Sequence, residues 1–139
     1  MQQERRQSVR QQVFVVDDNH AVRHAYCNLL DAAGYSAQAF ASAEAFFQTP
    51  LPDLPVCLIL DMHMPQIGGL EVAAELARRG QYMPIIFVTA FVSVALAVQA
   101  FEVGALQFLT KPVESDTLLR AVNEALLLAE QHFQQRQWR

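Results

Sequence analysis

Short apolar runs alternate along the chain with segments whose apolar residues recur every three or four positions. The short runs are rich in β-branched and aromatic side chains, as buried strands are, and the longer periods are typical of amphipathic helices. The predicted strands are residues 13–16, 35–40, 56–60, 84–88 and 106–109. The predicted helices are residues 21–33, 42–48, 70–79, 93–103 and 115–131.

Glycines support the predicted helix ends. Gly34, Gly80 and Gly104 each follow a helical period, where a left-handed residue satisfies the last carbonyl groups of a helix. Five β-α units in alternation predict an α/β fold, in which a parallel sheet is covered by helices on both faces.

A length of 139 residues suits one domain. We expect residues 1–11 to form a flexible arm, residues 12–131 the folded domain, and residues 132–139 a helix end or the start of a linker. No apolar run approaches the roughly 20 residues of a membrane helix, and the N-terminus lacks a signal-peptide core. We therefore expect a cytoplasmic protein without membrane contact.

The charge of the chain narrows the class of partner, and its cysteines indicate the redox state. The net charge of −4 argues against direct nucleic-acid contact by this domain. Cys27 and Cys57 stand in apolar stretches without a CxxC spacing. We expect two reduced, buried thiols and no disulfide.

Acidic and polar residues stand at the ends of four predicted strands. Asp17 and Asp18 follow the first strand, Asp61 the third and Thr89 the fourth, and Lys111 comes shortly after the fifth. Ligands of open parallel sheets bind at the carboxyl ends of the strands, near the point where the strand order reverses. In the order 2-1-3-4-5 the first and third strands are neighbours. The carboxylates would then share a cleft that has the lysine and threonine on its rim.

This combination of residues favours phosphoryl chemistry. Three carboxylates in one cleft repel each other unless a cation intervenes, and Mg²⁺ prefers oxygen ligands. Lys111 adds a positive charge and Thr89 a hydroxyl donor, which suits in-line transfer of a phosphoryl group to a carboxylate. Each acid alone is more simply read as a loop or cap residue. The agreement of four strand ends is what favours a site.

Four segments, VFVVDD, LILDMHMPQIGG, IIFVTA and FLTKP, resemble in order and spacing the signature segments of response-regulator receiver domains. The resemblance runs from about residue 13 to 130. It implies a flavodoxin-like (βα)5 fold of strand order 2-1-3-4-5, with Asp61 accepting phosphate from a sensor histidine kinase. It also implies Mg²⁺ ligation by Asp18 and Asp61, by Asp17 directly or through water, and by the backbone carbonyl of His63.

The same resemblance assigns the switch residues. Lys111 would pair with the phosphoryl group, Thr89 would report its arrival, and Phe108 would swing inward with Thr89. The Lys111–Pro112 peptide bond is expected to be cis. Such a protein is a regulator that catalyses its own phosphorylation and dephosphorylation, and it is not classed as an enzyme.

A finer resemblance points to FixJ-like receivers of transcription factors, carried by SAEAF at residues 42–46, by ALQFLTKP and by the apolar fourth helix. It implies a phosphorylation-dependent homodimer and control of transcription through a C-terminal helix-turn-helix domain that is not in this chain. Two positions depart from the pattern. Phe91-Val92-Ser93 replace small or polar residues, and His63 stands where Arg or Asn is common. Both flank the acceptor, which leaves the phosphate lifetime open.

The fourth predicted helix is apolar on two faces. One stripe, predicted to face the core, consists of Val94, Val98 and Phe101. A second stripe, predicted to face solvent, consists of Val92, Leu96 and Val103. Because exposed apolar patches usually mark a contact, we expect two phosphorylated copies to pair through the second stripe.

Three other functions fit the pattern less well. A haloacid-dehalogenase phosphatase would need a second Asp at the position of His63. A flavin or dinucleotide binder would need Gly or Ser/Thr after the first strand, where two acids would repel a phosphate. The strongest alternative is a receiver-like interaction module that is not phosphorylated. Its usual mark is loss of an acid, the lysine or the acceptor, and this chain retains them all.

Overall fold

In the computed structural model, which describes residues 10–137, five parallel strands form one sheet in the order β2-β1-β3-β4-β5. The strands are β1 (Gln12–Val16), β2 (Ala37–Phe40), β3 (Val56–Asp61), β4 (Ile85–Thr89) and β5 (Ala105–Thr110). The helices are α1 (His20–Ala32), α2 (Ala43–Phe47), α3 (Gly69–Arg78), α4 (Val94–Glu102) and α5 (Ser115–Gln137). The predicted α/β fold and its flavodoxin-like strand order are confirmed. Residues 1–9 of the predicted arm and residues 138–139 of the predicted tail lie outside the described residues.

Helices cover both faces of the sheet. Helices α2, α3 and α4 pack on a core that includes Phe14, Leu58 and Phe87, and α1 and α5 pack on the opposite core. Strands β1, β3 and β4 are therefore buried on both sides, which explains why their sequences are continuously apolar and do not alternate. The flanking strands β2 and β5 are only partly buried.

The helix ends follow the predicted chemistry, with one extension. Gly34, Gly80 and Gly104 have positive φ angles of 93°, 69° and 97°, as the helix-ending glycines should. Helix α5 continues past residue 131 to Gln137, so residues 132–137 form the helix end that was one of the two expectations for this segment. Two contacts with residues distant in sequence lie along this segment: the ring of His132 lies 4.0 Å from that of Tyr82, and Arg136 forms an exposed ion pair with Asp53 at 3.4 Å.

Helix α4 sits with the opposite face inward from the one that we predicted. Leu96, Ala100 and Val103 pack toward the core, and Ala100 is fully buried. The stripe predicted to be buried is exposed instead, with Val94 82%, Val98 51% and Phe101 53% accessible. Periodicity could not choose between two apolar faces. Because the small Ala100 side chain allows close approach to the sheet, its face is the one that packs inward.

The cysteines follow the prediction in part. Both are free thiols; Cys57 is buried in β3, whereas Cys27 on α1 is only partly buried. Burial raises the pKa of the Cys57 thiol to about 12, which leaves it unreactive. Among residues 10–137, no helix is both long and apolar enough to cross a bilayer.

Candidate functional site

Three carboxylates converge where β1 and β3 end side by side. Val16 is paired with Leu60 in the sheet, so Asp17 and Asp61 leave neighbouring strands at the same level. Carboxylate oxygens of Asp17, Asp18 and Asp61 all lie within 4.8 Å of one another. Asp17 and Asp61 are buried and Asp18 is exposed, so the cleft opens to solvent on the Asp18 side. The predicted sharing of one cleft is what the structure shows.

Asp17 is held at the back of this cleft by several groups. Its Oδ1 accepts a hydrogen bond from the backbone N–H of Asn19 at 2.9 Å, and its Oδ2 lies 2.9 Å from the Lys111 ammonium. Asn19 also caps α1 by accepting a hydrogen bond from the N–H of Val22. The same short turn therefore begins the helix and orients the acid.

Asp61 is the last residue of β3 and lies within reach of the same lysine. Its Oδ1 is 3.5 Å from the Lys111 ammonium and accepts a hydrogen bond from the N–H of His63 at 3.3 Å. Burial raises the pKa of Asp61 to about 6, and the charge of Asp17 adds to the rise, while Lys111 opposes it. A divalent cation would favour the ionised form by supplying the missing positive charge.

Lys111 enters the cleft from the end of β5. The backbone N–H of Lys111 donates a hydrogen bond to the carbonyl of Thr89 at 2.7 Å, which fixes the backbone at this position. The Lys111–Pro112 peptide bond is cis, as the resemblance implies. Burial alone lowers the pKa of the Lys111 amine. The hydrogen bond to Asp17 and the charges of both acids outweigh that effect and hold the pKa above its ordinary value.

The hydroxyl group of Thr89 is engaged with the loop that follows β4. Thr89 is fully buried; its Oγ1–H donates to the carbonyl of Phe91 at 3.1 Å, and the Phe91 N–H donates back to Oγ1 at 3.1 Å. Phe108, the other predicted switch residue, lies on β5 beside Phe87 and is partly buried against the core. Phe108 thus belongs to the core on the face of the sheet that α4 also covers.

The two positions that depart from the FixJ-like pattern contact each other. The rings of His63 and Phe91 are 6.0 Å apart at 73°, an edge-to-face arrangement, and both residues are exposed. The His63 N–H also donates to Oδ1 of Asp61, so this pair of rings lies at the edge of the cleft. No sequence signal had linked them, because they follow different strands.

Gly69 is a site residue that the sequence reasoning missed. Its N–H donates to the carbonyl of Met62, and a Cβ at this position would lie 2.6 Å from the Asp61 carbonyl oxygen and 3.0 Å from the Phe87 ring. Only glycine lets α3 begin this close to the end of β3. The paired glycines of LILDMHMPQIGG were the available signal.

The donor set suits a hard cation. Three carboxylates provide oxygen ligands, and the exposed side leaves room for water and phosphate oxygens, which Mg²⁺ usually retains. Together with the Lys111 ammonium group, which lies beside two of the carboxylates, this donor set has the chemistry that transfer of a phosphoryl group to an acid requires.

Comparison with known proteins identifies the family to which the chain belongs. Residues 13–123 match the family described as the response regulator receiver domain, and the chain belongs to this family. Among curated relatives it is 40% identical over 119 residues to the response regulator protein TmoT of Ectopseudomonas mendocina, covering 86% of this chain and 54% of the relative. It is 39% identical over 114 residues to the transcriptional regulatory protein FixJ of Azorhizobium caulinodans, covering 82% and 54%.

Solved structures of related proteins share this fold. The response regulator StyR superimposes with a TM-score of 0.87 at 37% identity, covering 93% of this chain and 65% of that chain. FixJ-N superimposes with a TM-score of 0.75 at 32% identity, covering 83% and 92%. The FixJ-like resemblance is confirmed at the level of these relatives, which include transcriptional regulators. The chain spans about half the length of the curated relatives that it matches.

Proposed function

We propose that Asp61 accepts a phosphoryl group from a phosphohistidine of a sensor kinase, in a Mg²⁺-dependent reaction that this domain itself catalyses, in the cytoplasm. The observation that carries the proposal is the convergence of three carboxylates with the Lys111 ammonium group at the ends of adjacent strands. Removal of the phosphate would use the same groups.

The proposed reaction is an in-line displacement. An oxygen of Asp61 attacks the phosphorus, an acyl phosphate bond forms, and the bond from phosphorus to the donor imidazole breaks. Mg²⁺ held by Asp18, Asp61, the His63 carbonyl and, directly or through water, Asp17 would offset the charge on the phosphoryl oxygens. The Lys111 ammonium group would also offset charge on the phosphoryl oxygens, and it needs to move little because it already lies between Asp17 and Asp61.

The Thr89 hydroxyl group provides the proposed switch. To donate to a phosphoryl oxygen it must give up its bond to the Phe91 carbonyl, which releases the loop that leads into α4. Phe108 then moves inward with Thr89, and the surface of α4 and β5 changes shape. His63 and Phe91 border the cleft, so they would also limit the access of water to the acyl phosphate.

The test of phosphorylation is the intact mass of the chain after incubation with acetyl phosphate. We expect a gain of one phosphoryl group with Mg²⁺ and no gain when a chelator removes the metal. An unchanged mass at saturating Mg²⁺ would favour the alternative, a receiver-like module that binds partners without phosphorylation.

Asp18→Ala is expected to weaken Mg²⁺ binding strongly and leave the fold intact, because it removes one ligand from an exposed position of the acid cluster. Titration of amide NMR shifts with Mg²⁺ measures the change. Asp116→Ala, an exposed acid in the first turn of α5, is the matched control and should bind Mg²⁺ as wild type does. Equal affinity in wild type and Asp18→Ala would contradict the ligand assignment.

Output is proposed to pass through α4 to a second copy. Phe91 and Val92, in the loop before α4, are exposed like the stripe of Val94, Val98 and Phe101, and we infer that the five residues form one apolar surface. A lone monomer seldom leaves such a patch uncovered. The transcriptional regulators among the relatives support control of transcription through a further DNA-binding domain, with no direct nucleic-acid contact by this one.

Val98→Glu is expected to prevent pairing, because it places a charge in the middle of the exposed stripe. Sedimentation velocity with beryllofluoride, which mimics the phosphoryl group on Asp61, should show dimer for wild type and monomer for Val98→Glu. Gln99→Glu adds the same charge to an exposed polar position of α4 and should still pair. Identical sedimentation of wild type with and without beryllofluoride would end the dimer proposal. Leu96 is unsuited to this test because it packs toward the core.

A further inference from the structure

Arg23 lies on the second turn of α1 and reaches back to the turn that carries the acid pair. Its Nη1 donates a hydrogen bond to the backbone carbonyl of Asp17 at 2.8 Å, and its Nη2 lies 3.4 Å from Nδ1 of His20. The side chain is partly buried, so this charged hydrogen bond is shielded from much of the solvent.

The contact completes the restraint of Asp17. The backbone N–H of Asp17 donates a hydrogen bond to the carbonyl of Phe40 on β2. Its two carboxylate oxygens contact the Asn19 N–H and the Lys111 ammonium group. Its carbonyl oxygen accepts the hydrogen bond from Arg23. That carbonyl belongs to the peptide unit that leads into Asp18. Because the peptide plane contains the N and Cα atoms of Asp18, holding this plane restricts the position from which the exposed Asp18 carboxylate reaches the cleft.

We propose that Arg23 is a positioning residue for metal binding, which acts through the Asp17–Asp18 peptide to hold Asp18 in the cleft. The proposal rests on the proposed Mg²⁺-dependent function of the site. Groups that orient metal ligands from behind contribute strongly to metal affinity, although they do not touch the ion. Arg23 is such a group, and it is a cation.

Because Arg23 is charged, a positioning role and a purely electrostatic role predict opposite changes in Mg²⁺ affinity when it is removed. If the guanidinium acted only by its charge, its removal would leave the cleft more negative, and Mg²⁺ would bind more tightly. If it acts by holding the peptide plane, its removal leaves Asp18 to sample several directions, and Mg²⁺ binds more weakly. The two effects have opposite signs, so the direction of the change identifies the role.

The test compares wild type with Arg23→Met, which keeps much of the aliphatic stem but loses the hydrogen bond and the charge. We expect Mg²⁺ affinity, from titration of amide NMR shifts with the metal alone, to fall by roughly tenfold. The Asp18 amide should shift even without metal, because it shares the affected peptide unit. With acetyl phosphate, the half-saturating Mg²⁺ concentration should rise while the rate at saturating Mg²⁺ returns to the wild-type value.

Arg78→Met is the matched control. It removes a cation from the last turn of α3, at the other end of the sheet, and should leave Mg²⁺ affinity unchanged. Arg23→Gln serves if Arg23→Met does not fold, as judged by circular dichroism, and should show the same loss. Unchanged or tighter Mg²⁺ binding by the folded Arg23 variants would overturn the proposal while leaving the metal site in place. Absence of Mg²⁺ binding by wild type would overturn both this proposal and the metal site.

Discussion

Replacing Asp61 by asparagine is expected to abolish phosphorylation by acetyl phosphate and Mg²⁺, while the fold is retained. The amide has nearly the shape of the carboxylate, but its oxygen is a poor nucleophile. Neither of the other two clustered acids is placed equivalently: Asp17 has both carboxylate oxygens occupied by Asn19 and Lys111, and Asp18 is exposed at the mouth of the cleft. Intact mass spectrometry should show no gain for the variant.

Stability provides an independent measurement on the same variant. Asp61 is 4% exposed and lies beside a second buried acid. Asp61→Asn removes one of these repelling charges, so in metal-free buffer at neutral pH the variant should melt at a higher temperature than wild type. Asp31→Asn, a change at an exposed acid of α1, is the control that should alter neither phosphorylation nor melting. A phosphoryl group of normal stoichiometry on Asp61→Asn would refute the acceptor assignment.

Gly69→Ala is expected to impair both stability and phosphorylation. The added Cβ would lie 2.6 Å from the Asp61 carbonyl oxygen, so either α3 or the end of β3 must move. Overpacking of this kind costs about 1–3 kcal/mol. Alanine recovers only about 0.5–1 kcal/mol through its helix preference, and steric strain prevails. We expect thermal unfolding several degrees lower and slower phosphorylation, because the displaced backbone carries Asp61.

Gly80→Ala separates the two effects. Gly80 has a φ of 69°, which strains an alanine, but nothing lies within 4 Å of a Cβ there. It follows α3 at the end of the sheet remote from Asp61, so this variant should lose stability and still phosphorylate at the wild-type rate. If Gly69→Ala also phosphorylated at the wild-type rate, the packing of α3 against the acceptor strand would have no role in the site.

Much of the fold and the acid cluster was determined by the sequence. The alternation of apolar runs with helical periods predicts the β-α order, because strands buried on both faces must be continuously apolar. The acids at the ends of β1 and β3 are predicted to lie close together, because parallel strands place their carboxyl ends on one edge of the sheet. The glycines after α1, α3 and α4 marked the helix ends correctly.

Only the tertiary structure decided which face of α4 is buried, how far α5 extends and what surrounds the acids. Both stripes of α4 are apolar, so periodicity alone did not distinguish them, and the face that carries the small Ala100 is the one that is buried. The last turns of α5 lack an apolar period and contact Tyr82 and Asp53, residues distant in sequence. The hydrogen bond from Arg23 to Asp17 and the close approach of Gly69 to Asp61 likewise depend on backbone atoms. Their positions are set by the packing of whole helices on the sheet, and residue type alone does not specify them.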